Sequence, residues 1–490
     1  MRLSQEDRMI GQDETEVKEM FLTTLSQRQC MKIHEAALSI LEKTGVIFQC
    51  QEAIDILKKG GAKIDGERVY IPASLVEWAL KTVPNSFTLH DQEGKPRFVV
   101  GGRSCLFGTG SDCLNILDHR TGEHRDPFIK DLIELVTLCD FLPNIDFLMS
   151  MVIPTDFPRN VADRVQMEMM LNHSIKPIIA VSFSYEGTID IIKMAEIIAE
   201  GEENLRQHPF IVHYVQPVRA LFHNEDTVRK LIYTAKKGLP CLYLVSAIMG
   251  ISGPITAAGY QAMGAAGQLA ALVLAQLIRE GNPFVGRGGR IVVVDMKTML
   301  ATFADPGNRI FSTDMAHFYN LPSFGTAGCS DSKGMDWQAV AEASLTLIAD
   351  ALVGANLIHD VGYIEAGVTY SAEMLVLCDE IISWIKAFKK GAPVNEETLA
   401  LDLIDELGFK GDFLTTDHTF RHFREQWQPT LFDRKNYSKW KEAGAQDTKE
   451  RVRQRIEKIL AGHHGRELSA DVRQKLKAIS TNVKSSSQEG

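Results

Sequence analysis

The chain has little with which to build a metal or redox centre. Its eight cysteines are scattered and no two form a CxxC pair. HEXXH is also missing, so neither a four-thiolate zinc site nor a zincin helix is expected, and no protein-bound metal is predicted. Scattered thiols without disulfide spacing point to a reducing cytoplasm. Positive charge is short as well: 53 Lys and Arg stand against 63 Asp and Glu, a net charge of -10 over 490 residues. Phosphate binding needs a clustered basic face, so nucleic acid is not an expected partner. The first residues, MRLSQEDRMIGQDETE, are acidic and lack an apolar core, and no signal peptide is read there. One long apolar stretch exists, 255–278, and Gln261, Gln268 and Gln276 interrupt it. Its richness in Gly and Ala suits a helix packed closely on a sheet better than a membrane span. No GxGxxG follows the first strand-like run, no Walker sequence accompanies GRGG at 286–289, and no nucleophile elbow surrounds Ser246 or Ser330.

What is present is alternation. Short apolar runs at 105–108, 147–153, 177–182, 210–215, 241–246, 283–286, 323–327 and 356–361 are each followed by a helical pattern. About eight βα units over roughly 290 residues predict a parallel sheet covered by helices, in number and length a (β/α)8 barrel. A doubly wound open sheet is the alternative, ranked second for want of the glycine fingerprint. Residues 106–117 have room for more than one strand before the Arg120-Thr121-Gly122 turn. The expected organisation is an α-helical amino-terminal cap at 1–84, the barrel at 85–391 and an α-helical extension at 392–490. Its charged last stretch, ending in SSSQEG, is expected to be disordered. The run LPSFGTAGCSDSKGMDWQAVAEA from Leu321 passes from a strand through small residues into a helix, which leaves space at the strand's carboxyl end.

That run resembles the trimethylamine methyltransferase family. So do HDVGYIEAGVTYSAEMLVLCDEIISW, FLTTDHTFRHFREQW and, near the amino terminus, IHEAALSILEKTGV, GAKIDGERVYIP and VPNSFTLHD. The resemblance implies a barrel that passes a methyl group from a methylated amine to the cobalt of a separate corrinoid protein. The cobalamin would be carried by that partner, with no cofactor bound by this chain. The trimethylamine enzymes carry pyrrolysine in the loop that matches 328–333, where this chain has ordinary residues. It therefore looks like the members that demethylate quaternary amines. Glycine betaine is the implied donor, with proline betaine, carnitine or a non-catalytic amine sensor as alternatives.

A quaternary ammonium is already cationic and leaves as a neutral amine, so the protein has only to hold and aim it. Aromatic faces and carboxylates do that, each aromatic contact contributing about 0.5–2 kcal/mol. His359, Tyr363 and Glu365 share one side if the last strand stays extended, and Tyr370 follows. His359, Tyr363 and Tyr370 are read as pocket walls and Glu365 as counter-charge, against the alternatives of loop ordering and helix packing. Tyr214 and Gln216 end the fourth strand and are read as substrate-binding; Gln216 suits the substrate's polar end, although it could equally order its loop. Asp112 is a further acid after the first strand. For a betaine carboxylate, Arg309 in DPGNRIF is preferred over Arg287 and Arg290, with a surface ion pair as its alternative role. A homo-oligomer is left open.

Overall fold

The structure, a computed structural model, describes residues 20–287, 293–304, 309–409 and 411–481. Seven strands lie parallel in one sheet. In chain order they are Leu106–Thr109, Ile178–Val181, Ile211–Val215, Cys241–Tyr243, Phe284–Arg287, Ser323–Thr326 and Leu357–Val361. The first pairs with the last, and each of the others with its sequence neighbour. Phe147 and Leu148 fill the gap with single parallel bridges to Gly108 and Ile178, which closes a cylinder of eight positions, so that in the barrel count Phe147-Leu148 is the second strand, Ile211–Val215 the fourth, Ser323–Thr326 the seventh and Leu357–Val361 the eighth and last. The expected run at 147–153 is cut short because Met151 takes φ 57 and turns the chain out of the sheet. The fold is the (β/α)8 barrel.

Each strand is short because it is apolar only where it faces the two layers of the core. Inside the cylinder, Ile179, Val212, Leu242, Val285, Phe324 and Leu357 pack with Phe147 and Met149. Leu89 and Val100 join them from an antiparallel hairpin, Ser86–His90 and Pro96–Gly101, which plugs the end where the strands begin. The hairpin does not stand out in the sequence, since the exposed Val99 between Phe98 and Val100 hides the two-residue alternation. Outside the cylinder, Ala257–Ile278 is, among the described residues, the one helix long and apolar enough to span a membrane, and it is buried between barrel and cap. A Cβ at Gly267 would come within 1.8 Å of the Ala220 carbonyl, so the Gly and Ala content is the price of close helix packing.

The cap contains the helices Gln27–Ser39, Gln51–Lys59 and Ala73–Thr82, and shares its core with the barrel. Its strand Val46–Phe48 pairs in parallel with Phe222–His223 after the fourth barrel strand. At the other terminus the polar tail orders further than its composition suggests. Thr448–Gly462 and Ala470–Ser480 are helices whose Ile456 and Leu476 are fully buried, and Arg453 Nε donates to Glu373 at 2.6 Å. Amphipathic spacing within a charged stretch carries this docking. The terminal SSSQEG lies outside the described residues.

Candidate functional site

A cavity of about 290 Å³ opens at the carboxyl ends of the strands, where barrel loops meet. It is at the small end of ligand pockets, which run to roughly 300–1,000 Å³. The walls come from successive units: Ser111 after the first strand, Tyr214 and Gln216 from the fourth, Ser246 after the fifth, Phe324 and Thr326 on the seventh, His359 and Asp360 on the last. Tyr260, Phe303 and Tyr363 complete it, so five aromatic side chains and one imidazole surround the space.

Each wall has a support. His359 stacks on Phe324, with ring centroids 3.8 Å apart and planes 22° from parallel. Its Nδ1 lies 2.5 Å from the Gly325 carbonyl, and its Nε2 3.2 Å from Asp360 Oδ1. Tyr214 Oη donates to Gln216 Oε1 at 2.5 Å, and Gln216 Nε2 donates to Ser246 Oγ at 2.7 Å. That chain sets a row of polar groups along one rim. Tyr363 donates its hydroxyl to the Ser111 carbonyl and lies edge-on to Tyr370. A Cβ at Gly110 would fall 2.2 Å from Tyr363 Cζ, so glycine is what lets the ring lie there. Burial, reinforced by Cys113 and Asp360, pushes the Tyr363 phenol well above its ordinary value, so the wall stays neutral.

The acid at the cavity is Asp360, which is 3% exposed and takes φ 76. Register slips between Ile358 and Val361 where the last strand meets the first. The slip breaks the two-residue alternation, and the consecutive residues His359 and Asp360 both reach the cavity. For the same reason Glu365 does not share their side. It follows a second break, has φ 52 itself, accepts from Thr369 Oγ1 at 2.5 Å and stands 3.7 Å from His124 Nδ1. Tyr370 is fully buried behind Tyr363 and donates to the Val361 carbonyl at 2.9 Å, so it supports the wall without lining it. Asp112 turns away at φ 64 to accept from Ser150 Oγ at 2.8 Å and Gln166 Nε2 at 3.2 Å, and burial raises its pKa. Arg309 opens the helix Arg309–Phe318, but its side chain, that of Arg287, and the whole of Arg290 lie outside the described residues.

Of the predicted residues the structure thus brings Tyr214, Gln216, His359 and Tyr363 together, and leaves Glu365, Tyr370 and Asp112 apart from the cavity. Phe324, Tyr260, Phe303 and Asp360 are the walls that sequence reasoning missed. Phe324 and Thr326 share one face of the seventh strand, and two-residue alternation there would have flagged both.

The loop after that strand holds the wall. Asp331 Oδ1 accepts the Phe303 backbone N–H at 2.8 Å, and Glu342 accepts from Ser330 Oγ at 2.6 Å and the Asp331 N–H at 2.8 Å. Among the described residues one His and Glu group could converge on a cation: Glu397, His418 and His422 in the carboxyl-terminal extension. Arg421 already lies 2.8 Å from the same Glu397 oxygen that faces His422, so an ion pair fills that role.

A model of the trimethylamine methyltransferase family (MTTB) matches residues 4–486. A trimethylamine methyltransferase, MttB, of Desulfitobacterium hafniense (strain DSM 10664 / DCB-2) is 32% identical over 463 residues, covering 94% of this chain and 93% of its own. A glycine betaine methyltransferase of Desulfitobacterium hafniense (strain Y51) is 30% identical over 463 residues, covering 93% and 96%. Among solved structures, the hydroxylamine complex of MtmB superposes with a TM-score of 0.50 at 13% identity, over 94% of this chain and 89% of that one. This last likeness is one of fold.

Proposed function

The chain belongs to the trimethylamine methyltransferase family, and from that premise we propose that it takes a methyl group from a quaternary amine, glycine betaine first, and delivers it to the Co(I) of a separate corrinoid protein. The observation that carries this reading is the cavity: aromatic faces from five elements around one buried carboxylate, Asp360, at the open end of the barrel. Such a box suits a trialkylammonium, which offers no N–H to hydrogen-bond and is held by ring quadrupoles and a counter-charge. Gln216 and Ser246, joined along one rim, suit the polar end of a betaine.

A quaternary nitrogen needs no proton from the protein when it leaves. The residues therefore bind, orient and keep water out, while the partner's reduced corrinoid supplies the nucleophile. No cofactor is assigned to this chain itself. Around the mouth, Val218, Ile251, Ile255, Met296 and Met299 are all more than half exposed. Gly250 draws Ile255 and Met296 together, since its Cβ would meet both within 3.4 Å. Exposed apolar side chains on the loops after the fourth, fifth and sixth strands suit a protein partner that must cover the opening. The eight free thiols support a cytoplasmic setting.

The test is spectroscopic. Reduced corrinoid with glycine betaine should convert to methylcobalt only when this chain is added. Proline betaine, carnitine and trimethylamine run alongside rank the donors. Tight binding of glycine betaine with no methylcobalt from any donor would replace the enzyme with an amine sensor.

A further inference from the structure

We propose that the segment from Gly391 to Thr430 is a dimerisation arm, whose apolar face is covered by a second copy of this chain. Among the described residues of that segment none is buried. Yet it forms helices, Glu396–Leu399, Leu401–Leu407 and Asp417–His422, and carries exposed apolar residues on them and in the turns between. Val394 is 62% exposed, Leu401 65%, Ile404 50%, Leu414 78% and Phe420 70%. A coreless segment cannot offset its ordering entropy alone. Here both ends are fixed. The chain leaves from Ala372–Lys389 and returns at Trp427, which stacks on Trp384 at 5.3 Å and donates to Ser383 Oγ at 2.9 Å.

The place of the arm decides its occupant. Ala372–Lys389 starts beside the carboxyl end of the last strand and runs back down the barrel. At its end, Lys389 Nζ lies 3.4 Å from Cys105 Sγ, one residue before the first strand begins. The arm therefore springs from the end opposite the cavity, out of line with any partner that must reach the mouth. With Leu399, Phe409, Phe413 and Phe423 added, its exposed apolar side chains offer roughly 1,000 Å², close to the ~800 Å² per partner that a stable interface buries.

Charge favours self-association. Residues 394–425 carry eight carboxylates against three Lys and Arg, whereas Arg103, Lys386 and Lys389 cluster at the arm's root, with Lys390 next in sequence. Arg103, Lys386 and Lys389 with Phe21 line a cavity of about 340 Å³ there, and Arg103 Nη1 is buried with no hydrogen-bond acceptor. A two-fold axis at this end lays each acidic arm against the other copy's basic root, the reciprocal contact that isologous dimers require.

Sedimentation velocity on the full chain tests this. The wild type should sediment as a dimer, or as a larger even assembly, of the 54.6 kDa chain. Leu414→Glu with Phe420→Glu should give a monomer whose circular dichroism and barrel melting are unchanged, because both side chains are already exposed. Carbodiimide cross-linking of a mixed light and 15N-labelled sample should join arm carboxylates to Lys386 or Lys390 across copies. A monomeric wild type, or a double variant that remains folded and dimeric, overturns the arm. Cross-links found only within one copy overturn the reciprocal contact.

Discussion

Replacing Asp360 with Asn tests the electrostatic reading of the cavity most directly. The change removes a charge and little else, since Asn tolerates the left-handed backbone at φ 76 nearly as well as Asp does. A carboxylate about 4 Å from an ammonium contributes about 4 kcal/mol at an effective dielectric near 20. The cavity is open at one side and Asp360 already faces His359 Nε2 at 3.2 Å, so part of that is screened. About 2–3 kcal/mol should remain, which raises KM for a quaternary amine by roughly 30- to 150-fold. Steady-state methyl transfer to reduced corrinoid, followed by absorbance, gives the number, and calorimetric titration with glycine betaine gives it without turnover. Glu365→Gln is the control. Its carboxylate is engaged by Thr369 and stands outside the cavity, so KM should stay within twofold. The reasoning fails if Asp360→Asn melts like the wild type and binds the amine within threefold of it, or if Glu365→Gln proves the more damaging change.

Gly110→Ala should displace the Tyr363 ring, because its new methyl would sit 2.2 Å from Cζ; a loss of about 1–3 kcal/mol in urea unfolding is expected, with weaker amine binding alongside. Acid should weaken the fold through His213 and His223, both fully buried, which burial pushes down to about 3. The unfolded chain takes up these protons near pH 6.5 while the folded one does not until about pH 3, so stability falls as pH drops through that window, by about 1 kcal/mol per pH unit for each histidine. Urea midpoints at pH 7 and pH 5 measure it, and a flat profile would mean that both rings protonate in place.

The barrel is legible in the sequence because its signals are local. A run such as Phe210–Val215 followed by the amphipathic helix Glu225–Lys237 declares a βα unit without reference to the rest of the chain. What resists reading is geometry that breaks the local rule. Alternation along HDVGYIE puts Glu365 beside His359, and only the slip after Ile358, with Asp360 at positive φ, substitutes Asp360. Tyr260 lies in a helix whose other residues are nearly all core, so nothing in its neighbourhood separates a wall from packing. Phe303 belongs to an excursion after the sixth strand and is brought in by Asp331, a residue 28 positions away in sequence. The arm at 391–430 carries apolar residues between its charges, and a sequence pattern says nothing about whether the partner face lies in the same chain.

The loop at 328–333 joins these threads. The resemblance implies pyrrolysine at this loop in the trimethylamine enzymes, whereas this chain has ordinary residues there. In this chain the loop's polar groups are engaged by their neighbours: Asp331 accepts from the Phe303 and Ala304 backbone, Glu342 accepts from Ser330 Oγ and the Asp331 N–H, and Ser332 Oγ reaches Asp336 at 2.9 Å. Groups committed in this way are poor reagents and good buttresses. A donor whose nitrogen is permanently charged asks for a rigid aromatic wall, since a ring misplaced by about 1 Å loses much of the quadrupole attraction and the aim of the methyl together. The same stretch of chain can therefore serve a reacting residue or a fixed wall, and the hydrogen bonds around Asp331 are those of the wall.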